Sequence, residues 1–496
     1  MAGTYISLVV PKQSVKNVKT ALELHGKLDK REKIGPSPTF HSDDIKEPML
    51  FPTTVNIMAG HSAPGLINGL PIDEYKKQLL AELGLESLFD SISIHASPRA
   101  ILCATESGIE TNPFTKAVRA YLSALPSELL SIVGTTIDVL LERLPTTYSI
   151  YPPMLLLPAH VFSAPDWQKL FSSTTAEQWG VLYQTVATAM SVTHIAINAS
   201  IPLLSRHSEQ SNSENILRSP TNLTPLYGDF GPICNASLPS SEDFASAFWV
   251  SAKQNGITQF WAPRYTMFSR GNITEKARLL QLPSIVESVE EEGGCTAVDL
   301  YAGIGYFVFS YAKAGVSKIL CFELNPWSVE GLRRGAEANG WGIEIFNEED
   351  VKDFKPTFTQ LKDPEKKLLV FQMSNEAAGS ILQRISGAIP PVRHVNCGLL
   401  PSSKGSWATA VKVLDPEIGG WIHVHENLAI KDIETKSEEI ADEMQELLNA
   451  MPEAHVGEKG RKSIAILEHV ERVKTFAPGV MHCVLDIHVM PFITKR

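Results

Sequence analysis

Short apolar runs give this chain two textures, which meet near Leu282. Before that point the runs are irregular. Tyr5 to Val10 is rich in Ile, Leu and Val and predicts a strand, and the segment behind it, Val15 to His25, predicts a basic helix. From Ile34 to His61 the chain is rich in Pro, Ser and Thr and reads as an exposed connection. Helical patterns return at Ile72 to Leu83 and Pro126 to Leu144. Tyr151-Pro152-Pro153 breaks the chain before the apolar run Met154 to Leu157, and the polar stretch Ser205 to Ser219 reads as a loop. After Leu282 the order becomes regular. Apolar runs at Ala297 to Tyr301, Lys318 to Glu323, Ile343 to Phe346, Val392 to Leu400, Gly420 to Glu426, Ile464 to Val473 and His482 to Met490 are separated by helical patterns, the first ones after Gly305 and Pro326. That alternation predicts a parallel sheet covered by helices, the last run adding an antiparallel edge.

The fold class read from this pattern is α/β: a Rossmann-like, class I methyltransferase-type domain over 282–496, preceded by an α+β N-terminal region. The latter divides into a basic strand-helix segment, 1–34, and an α+β region, 35–281. With 496 residues, 44% of them hydrophobic, two or three buried cores are affordable. No run of eighteen apolar residues occurs, which argues against a spanning helix. Ile6 to Val10 is too short for a signal-peptide core. The six cysteines are scattered and form no CxxC pair. Neither a zinc cluster nor a disulfide framework is expected, and a reducing, cytoplasmic setting fits. The net charge is −11, yet seven basic and three acidic residues lie between Lys12 and Lys33. That excess suits either a solvated face or a polyanion contact.

The main chemical signal is Asp299-Leu-Tyr-Ala-Gly303-Ile-Gly305, which follows a strand and opens a helix. Glycines at 303 and 305 let the backbone turn sharply beside a ligand. A dinucleotide fingerprint wants glycine at 308, where Val308 stands. A ligand without a diphosphate, such as S-adenosylmethionine, needs only the turn and an acid near its amino group, the role expected of Asp299. Glu323 ends the next strand and suits a pair of ribose hydroxyls; a helix-cap role before Asn325-Pro326 is the plainer alternative. Asp350, after the third strand, faces the adenine or is simply a surface acid. Asn396-Cys-Gly-Leu-Leu-Pro401-Ser402-Ser403 follows the fourth strand, where nitrogen methyltransferases carry an Asn-Pro-Pro-Tyr type motif. Here the Asn stands without the Pro-Pro or the aromatic, which disfavours nitrogen methylation. His423 and His425 share a strand face as a weak metal pair without further ligands, so no metal is expected; His425 is also a candidate base. Upstream, Arg264 to Arg278 reads as a linker into a helix capped by Asn272 with Glu275 as box partner.

Together these blocks resemble one family, the tRNA wybutosine-synthesizing protein 2 enzymes, and fungal members in particular. The glycine loop, the Phe322-Glu323-Leu-Asn325-Pro326 turn, Asn396 to Ser403, Gly419 to Asn427 and Met267 to Lys276 carry the likeness. Asn222 to Gly231 and Tyr151 to Pro158 add to it. The resemblance implies transfer of the 3-amino-3-carboxypropyl group of S-adenosylmethionine to carbon 7 of 4-demethylwyosine, at position 37 of tRNA(Phe), releasing methylthioadenosine. It also implies cofactor contacts from Ser269 and Lys276, the ribose on Glu323, the adenine at Asp350 and Val351, and Asn396 at the acceptor. The resemblance makes 35–281 the expected tRNA-binding region, and a monomer is expected. Two rivals stay open at this point: a tRNA guanine-37 N1-methyltransferase and a non-catalytic tRNA-binding protein.

Overall fold

The computed structural model describes residues 2–11, 14–24, 27–28, 34–36, 48–57, 66–67, 70–100, 112–198, 223–352, 361, 363–385, 387–451 and 463–491. Lys12, Lys30, Arg31, Lys33 and the expected loop Ser205 to Ser219 lie outside these. The chain forms two compact units, 1–112 and 113–496.

In the first unit the expected strand and helix are present, as Ala2–Val10 and Val15–Leu24. Ile6, Leu8 and Val10 of the strand are fully buried, together with Val18 and Leu22, which lie four apart on one helix face. The stretch expected to be an exposed connection is instead central. Met49–Ile57 pairs antiparallel with Ala2–Val10, within a sheet ordered Gly35–Pro36, Met49–Ile57, Ala2–Val10, Ser93–Ala100. Pro52 is tolerated because the register shifts beside it, between Tyr5 and Ser7. Thr53, though polar, is buried and donates to the Ile6 carbonyl at 2.6 Å. The 1–34 segment therefore shares one sheet with residues up to Ala100.

The second unit begins with five helices between Pro113 and Ala189 on a small sheet ordered Thr224–Tyr227, His194–Ile197, Met154–Leu157, Ser149–Tyr151. Fully buried Trp167 and Phe114 belong to its core. A hairpin, Val250–Gln254 and Ile257–Trp261, then leads to helix α1, Ile273–Leu279, and helix α2, Pro283–Glu290.

The central sheet has eight strands: β1 Thr296–Asp299, β2 Lys318–Phe322, β3 Ile343–Phe346, β4 Leu368–Phe371, β5 Val392–Cys397, β6 Gly420–Ala429, β7 Ser463–Ala477 and β8 Val480–Pro491. Their order is β3-β4-β2-β1-β5-β6-β8-β7. The first six are parallel; β8 pairs antiparallel with β6, and β7 with β8. Every residue of β1, β2, β4 and β5 is buried, as befits strands covered on both faces. Helices α3, Val308–Ala314, and α4, Pro326–Asn339, follow β1 and β2.

Two features of this sheet differ from the sequence expectation. The antiparallel edge is β7; the last run, β8, lies inside. A strand that the sequence pattern did not announce, β4, lies between β2 and β3 and moves β3 to the opposite edge. Among the described residues no helix is long and apolar enough to cross a membrane.

Candidate active site at the carboxyl ends of the parallel strands

Ligands of open parallel sheets bind beyond the carboxyl ends of the strands, where the order reverses. Here that point lies at β1, between β2 and β5. The loop leaving β1 turns through Gly303 (φ +54°) and Gly305 (φ +89°). A Cβ at Gly305 would stand 2.6 Å from the Phe309 ring, so both backbone angle and space require glycine there.

Glu323, at the end of β2, ties this loop down. One carboxylate oxygen accepts from Gly303 N at 2.8 Å and the other from Asn325 N at 2.7 Å. The carboxylate has about four lone pairs in all, so it can still accept from a further donor. Burial pushes the carboxyl up, against the backbone N–H groups of Asn325, Gly303 and Leu324. Asn325, expected as part of a helix start, caps α4 by accepting from Trp327 N.

Asp299 is fully buried. One oxygen accepts from Tyr301 N at 3.1 Å; the other has no partner. Burial pushes its carboxyl up to about 7, the Tyr301 N–H and the Asn396 side chain pulling the other way. Asn396, at the end of β5, is also fully buried, and its amide nitrogen is unpartnered. A buried acceptor and a buried donor thus stand opposite each other at the ends of adjacent strands, near enough for the amide to act on the carboxyl, yet neither closes a full hydrogen bond. Such groups cost free energy unless a ligand meets them.

The upstream segment reaches the same place. The Tyr306 hydroxyl, in the loop after Gly305, donates to the Met267 carbonyl and accepts from Ser269 N at 3.1 Å. Phe268 stacks on Trp261 with ring centroids 4.5 Å apart. Lys276 is 3% exposed and donates to Gln254 at 3.0 Å and Gln259 at 2.8 Å. Burial, and then the nearby charge of Lys474, bring its ammonium down to about 7. Ser269, Lys276, Asp299, Gly303, Gly305, Glu323 and Asn396 are therefore brought together.

Asp350 and Val351 are not. Asp350 lies beyond the edge strand β3, exposed, in a reciprocal bond with Asn347: its carboxylate accepts from Asn347 N at 2.8 Å, and its own N–H donates to the Asn347 side chain at 3.0 Å. That is a helix-capping role, and Val351 packs against the sheet core. The strand next to β2 is β4, whose end carries Met373, buried, and Asn375, which donates to the Leu300 carbonyl at 2.8 Å.

His425 bonds Asn396. Its Nε2 lies 3.2 Å from the Asn396 side-chain oxygen, which can only accept, so Nε2 carries the proton. Its Nδ1 then accepts from His482 Nε2 at 3.0 Å. Burial, followed by the charge of His482, lowers its pKa well below the ordinary histidine range. Both nitrogens are thus occupied in this arrangement, and His425 orients Asn396. His423 bonds Asp486 at 2.7 Å and His394 at 3.2 Å, and among the described residues no group of three metal-binding side chains occurs. Asn272 makes no side-chain cap; Glu275, its expected partner, pairs with Arg278, which also grips Asp486. Glu426 accepts from Ser403 N at 2.7 Å and from Ser402 at 2.9 Å, holding the 396–403 segment. Sequence reading missed Tyr306, His482 and Lys474. Only Tyr306, inside the glycine motif, carried a local signal.

Strand order, glycine turn and terminal glutamate define a Rossmann-like transferase domain of the class I methyltransferase type. The family described as TRM5/TYW2 methyltransferase domain matches residues 251–363. The tRNA wybutosine-synthesizing protein 2 of Schizosaccharomyces pombe is 39% identical over 72% of this chain and 76% of its own length. That of Saccharomyces cerevisiae is 35% identical over 71% and 75%. A solved structure of P. horikoshii TYW2 in complex with MeSAdo aligns at 17% identity over 76% of this chain and 99% of that one, with a TM-score of 0.45. The chain belongs to the tRNA wybutosine-synthesizing protein 2 family.

Proposed function

We propose that this protein transfers the 3-amino-3-carboxypropyl group of S-adenosylmethionine to carbon 7 of 4-demethylwyosine at position 37 of tRNA(Phe), releasing methylthioadenosine, and that it acts as a cytoplasmic monomer. The observation that carries the cofactor reading is Glu323 tied to Gly303 beside the orphaned carboxylate oxygen of Asp299. The residues fit the ligand: lone pairs of Glu323 for two ribose hydroxyls, Asp299 for the amino group, and Ser269 and Lys276 on the side of the amino-acid arm. Adenine, on this geometry, is met from the end of β4, by Met373, rather than by Asp350.

S-adenosylmethionine supplies a sulfonium whose three carbons are all open to attack. A bond forms from carbon 7 to the sulfur-bound methylene carbon of the aminocarboxypropyl arm as that carbon's bond to sulfur breaks. The electron pair goes to sulfur, which leaves as a neutral thioether, and carbon 7 loses its proton. A neutral leaving group needs no general acid, so the task of this chain is orientation.

Asn396 separates this reading from nitrogen methylation. It is followed by Cys397-Gly398-Leu399-Leu400-Pro401 and not by the Pro-Pro and aromatic that nitrogen methyltransferases use to hold the acceptor. Chromatography of the spent cofactor after turnover on tRNA carrying 4-demethylwyosine tests the proposal. Methylthioadenosine is expected; S-adenosylhomocysteine would reject it in favour of a methyltransferase.

A further inference from the structure

The β7–β8 hairpin rises above the parallel strands. Its turn, Ala477 to Val480, is level with Ala429 at the end of β6, whereas Cys397, the last residue of β5, is level with Val424. Lys474 lies on the inner reach of this hairpin, directly opposite His482, which is itself opposite Asn427. Its ammonium is 3.3 Å from the Ser269 hydroxyl, and it lies over Gly271 so closely that a Cβ there would come within 2.8 Å of Nζ.

Two lysines thus converge on the Ser269–Tyr306 pair without an acid: Lys474 reaches the Ser269 hydroxyl, and Lys276 Nζ lies 5.0 Å from the Tyr306 ring centre. Lys276 has only the amide oxygens of Gln254 and Gln259, and neither lysine has a carboxylate partner among the described residues. The nearby buried acids, Glu275 and Asp486, are both held in bidentate fashion by Arg278. Gln259 is 2% exposed and its amide nitrogen has no partner, a further buried donor in the same place. Burial lowers the ammonium pKa of both lysines, and Lys474 adds to the effect on Lys276. Like charges held close in a dry setting are stabilised by a shared anion.

We propose that Lys474 joins Lys276 and Ser269 in a carboxylate-binding subsite that takes the α-carboxylate of S-adenosylmethionine. This rests on the cofactor reading given above. Depth favours a small carboxylate over a polymer phosphate, because Lys276 is almost wholly enclosed. The subsite is also a specificity device. An arm pinned at its carboxylate end and a ribose pinned at Glu323 leave the sulfonium little freedom to turn its methyl toward the acceptor.

Calorimetric titration of wild type, Lys474→Met and Lys474→Arg with three ligands tests this: S-adenosylmethionine, its decarboxylated form and methylthioadenosine. Lys474→Met is expected to lose about tenfold or more in affinity for S-adenosylmethionine, the value of a charge-assisted bond to a carboxylate. It should keep its affinity for the two ligands that lack the carboxylate, which also shows that it is folded. Lys474→Arg should recover most of the loss. Equal losses on all three ligands, or no loss on any, would overturn the proposal. So would a variant that binds S-adenosylmethionine normally but tRNA weakly with a shallower salt dependence, since the lysine would then serve a phosphate. Wild-type protein taking up none of the three ligands would overturn the cofactor reading and the subsite together; failures confined to the variants overturn the subsite alone.

Discussion

Glu323 does two things with one carboxylate: it holds Gly303 and Asn325 by their N–H groups and keeps lone pairs for a ligand. Replacing it with Ala removes the ribose acceptor and strands two backbone donors. Isothermal titration should show S-adenosylmethionine affinity falling more than about tenfold; unchanged affinity would reject the ribose role. Asp486 offers a test in pH. Burial raises its carboxyl, but the hydrogen bonds and charge of His423 and Arg278 outweigh burial and hold it well below the ordinary carboxylate range. A depressed folded-state value stabilises the protein above the unfolded carboxylate pKa of about 4, and that contribution is lost as pH falls through the acid range. Denaturant titrations at pH 7 should find Asp486→Asn destabilised by about 3 kcal/mol or more, with Arg278 losing one of its two acids. Below pH 4 the gap from wild type should narrow; a gap independent of pH would contradict the ion-pair account.

At the scale of elements, the loop after β1 is the most constrained. Gly305→Ala forces a side chain onto φ +89° and into the Phe309 ring. A cost of about 1–3 kcal/mol follows from a strained backbone of this kind. Thermal melting should show that loss together with weaker cofactor binding, and a variant that matched wild type in both would remove the loop from the site. This element was legible because glycine spacing, a preceding apolar strand and a following helix all pointed one way. The β4 strand was not. Leu368-Leu369-Val370-Phe371 is only four residues long, and a short apolar run of that kind cannot be told from a buried helical segment by periodicity. Missing it placed Asp350 next to β2, when it stands beyond the edge strand. The central strand Met49–Ile57 was hidden for a different reason: Pro52, Thr53 and Thr54 read as a connection, although threonine is at home in strands and the proline sits at a register shift. His425 stood out in the sequence because it shares a strand face with His423. Its bond to Asn396 joins residues 29 apart in the chain, and no local pattern carries such a contact.

At the scale of the whole molecule, the residues proposed to hold the cofactor lie in 113–496, and 1–112 contains a small sheet with a basic helix. The chain is acidic overall, so contact with tRNA requires a local excess of positive charge, and Val15–Leu24 carries Lys16 and Lys19. Charge reversal at both should weaken tRNA binding with a reduced salt slope, read by filter binding across a salt series. Equal affinity at every salt concentration would return the helix to an ordinary solvated face.

The central claim concerns which carbon of the sulfonium is attacked, and a dual-label turnover measures it most directly. S-adenosylmethionine carrying one isotope in its carboxyl carbon and another in its methyl is incubated with the protein and tRNA bearing 4-demethylwyosine. The account predicts the carboxyl label in tRNA and the methyl label in methylthioadenosine; methyl label in tRNA with the carboxyl label left in solution would contradict it.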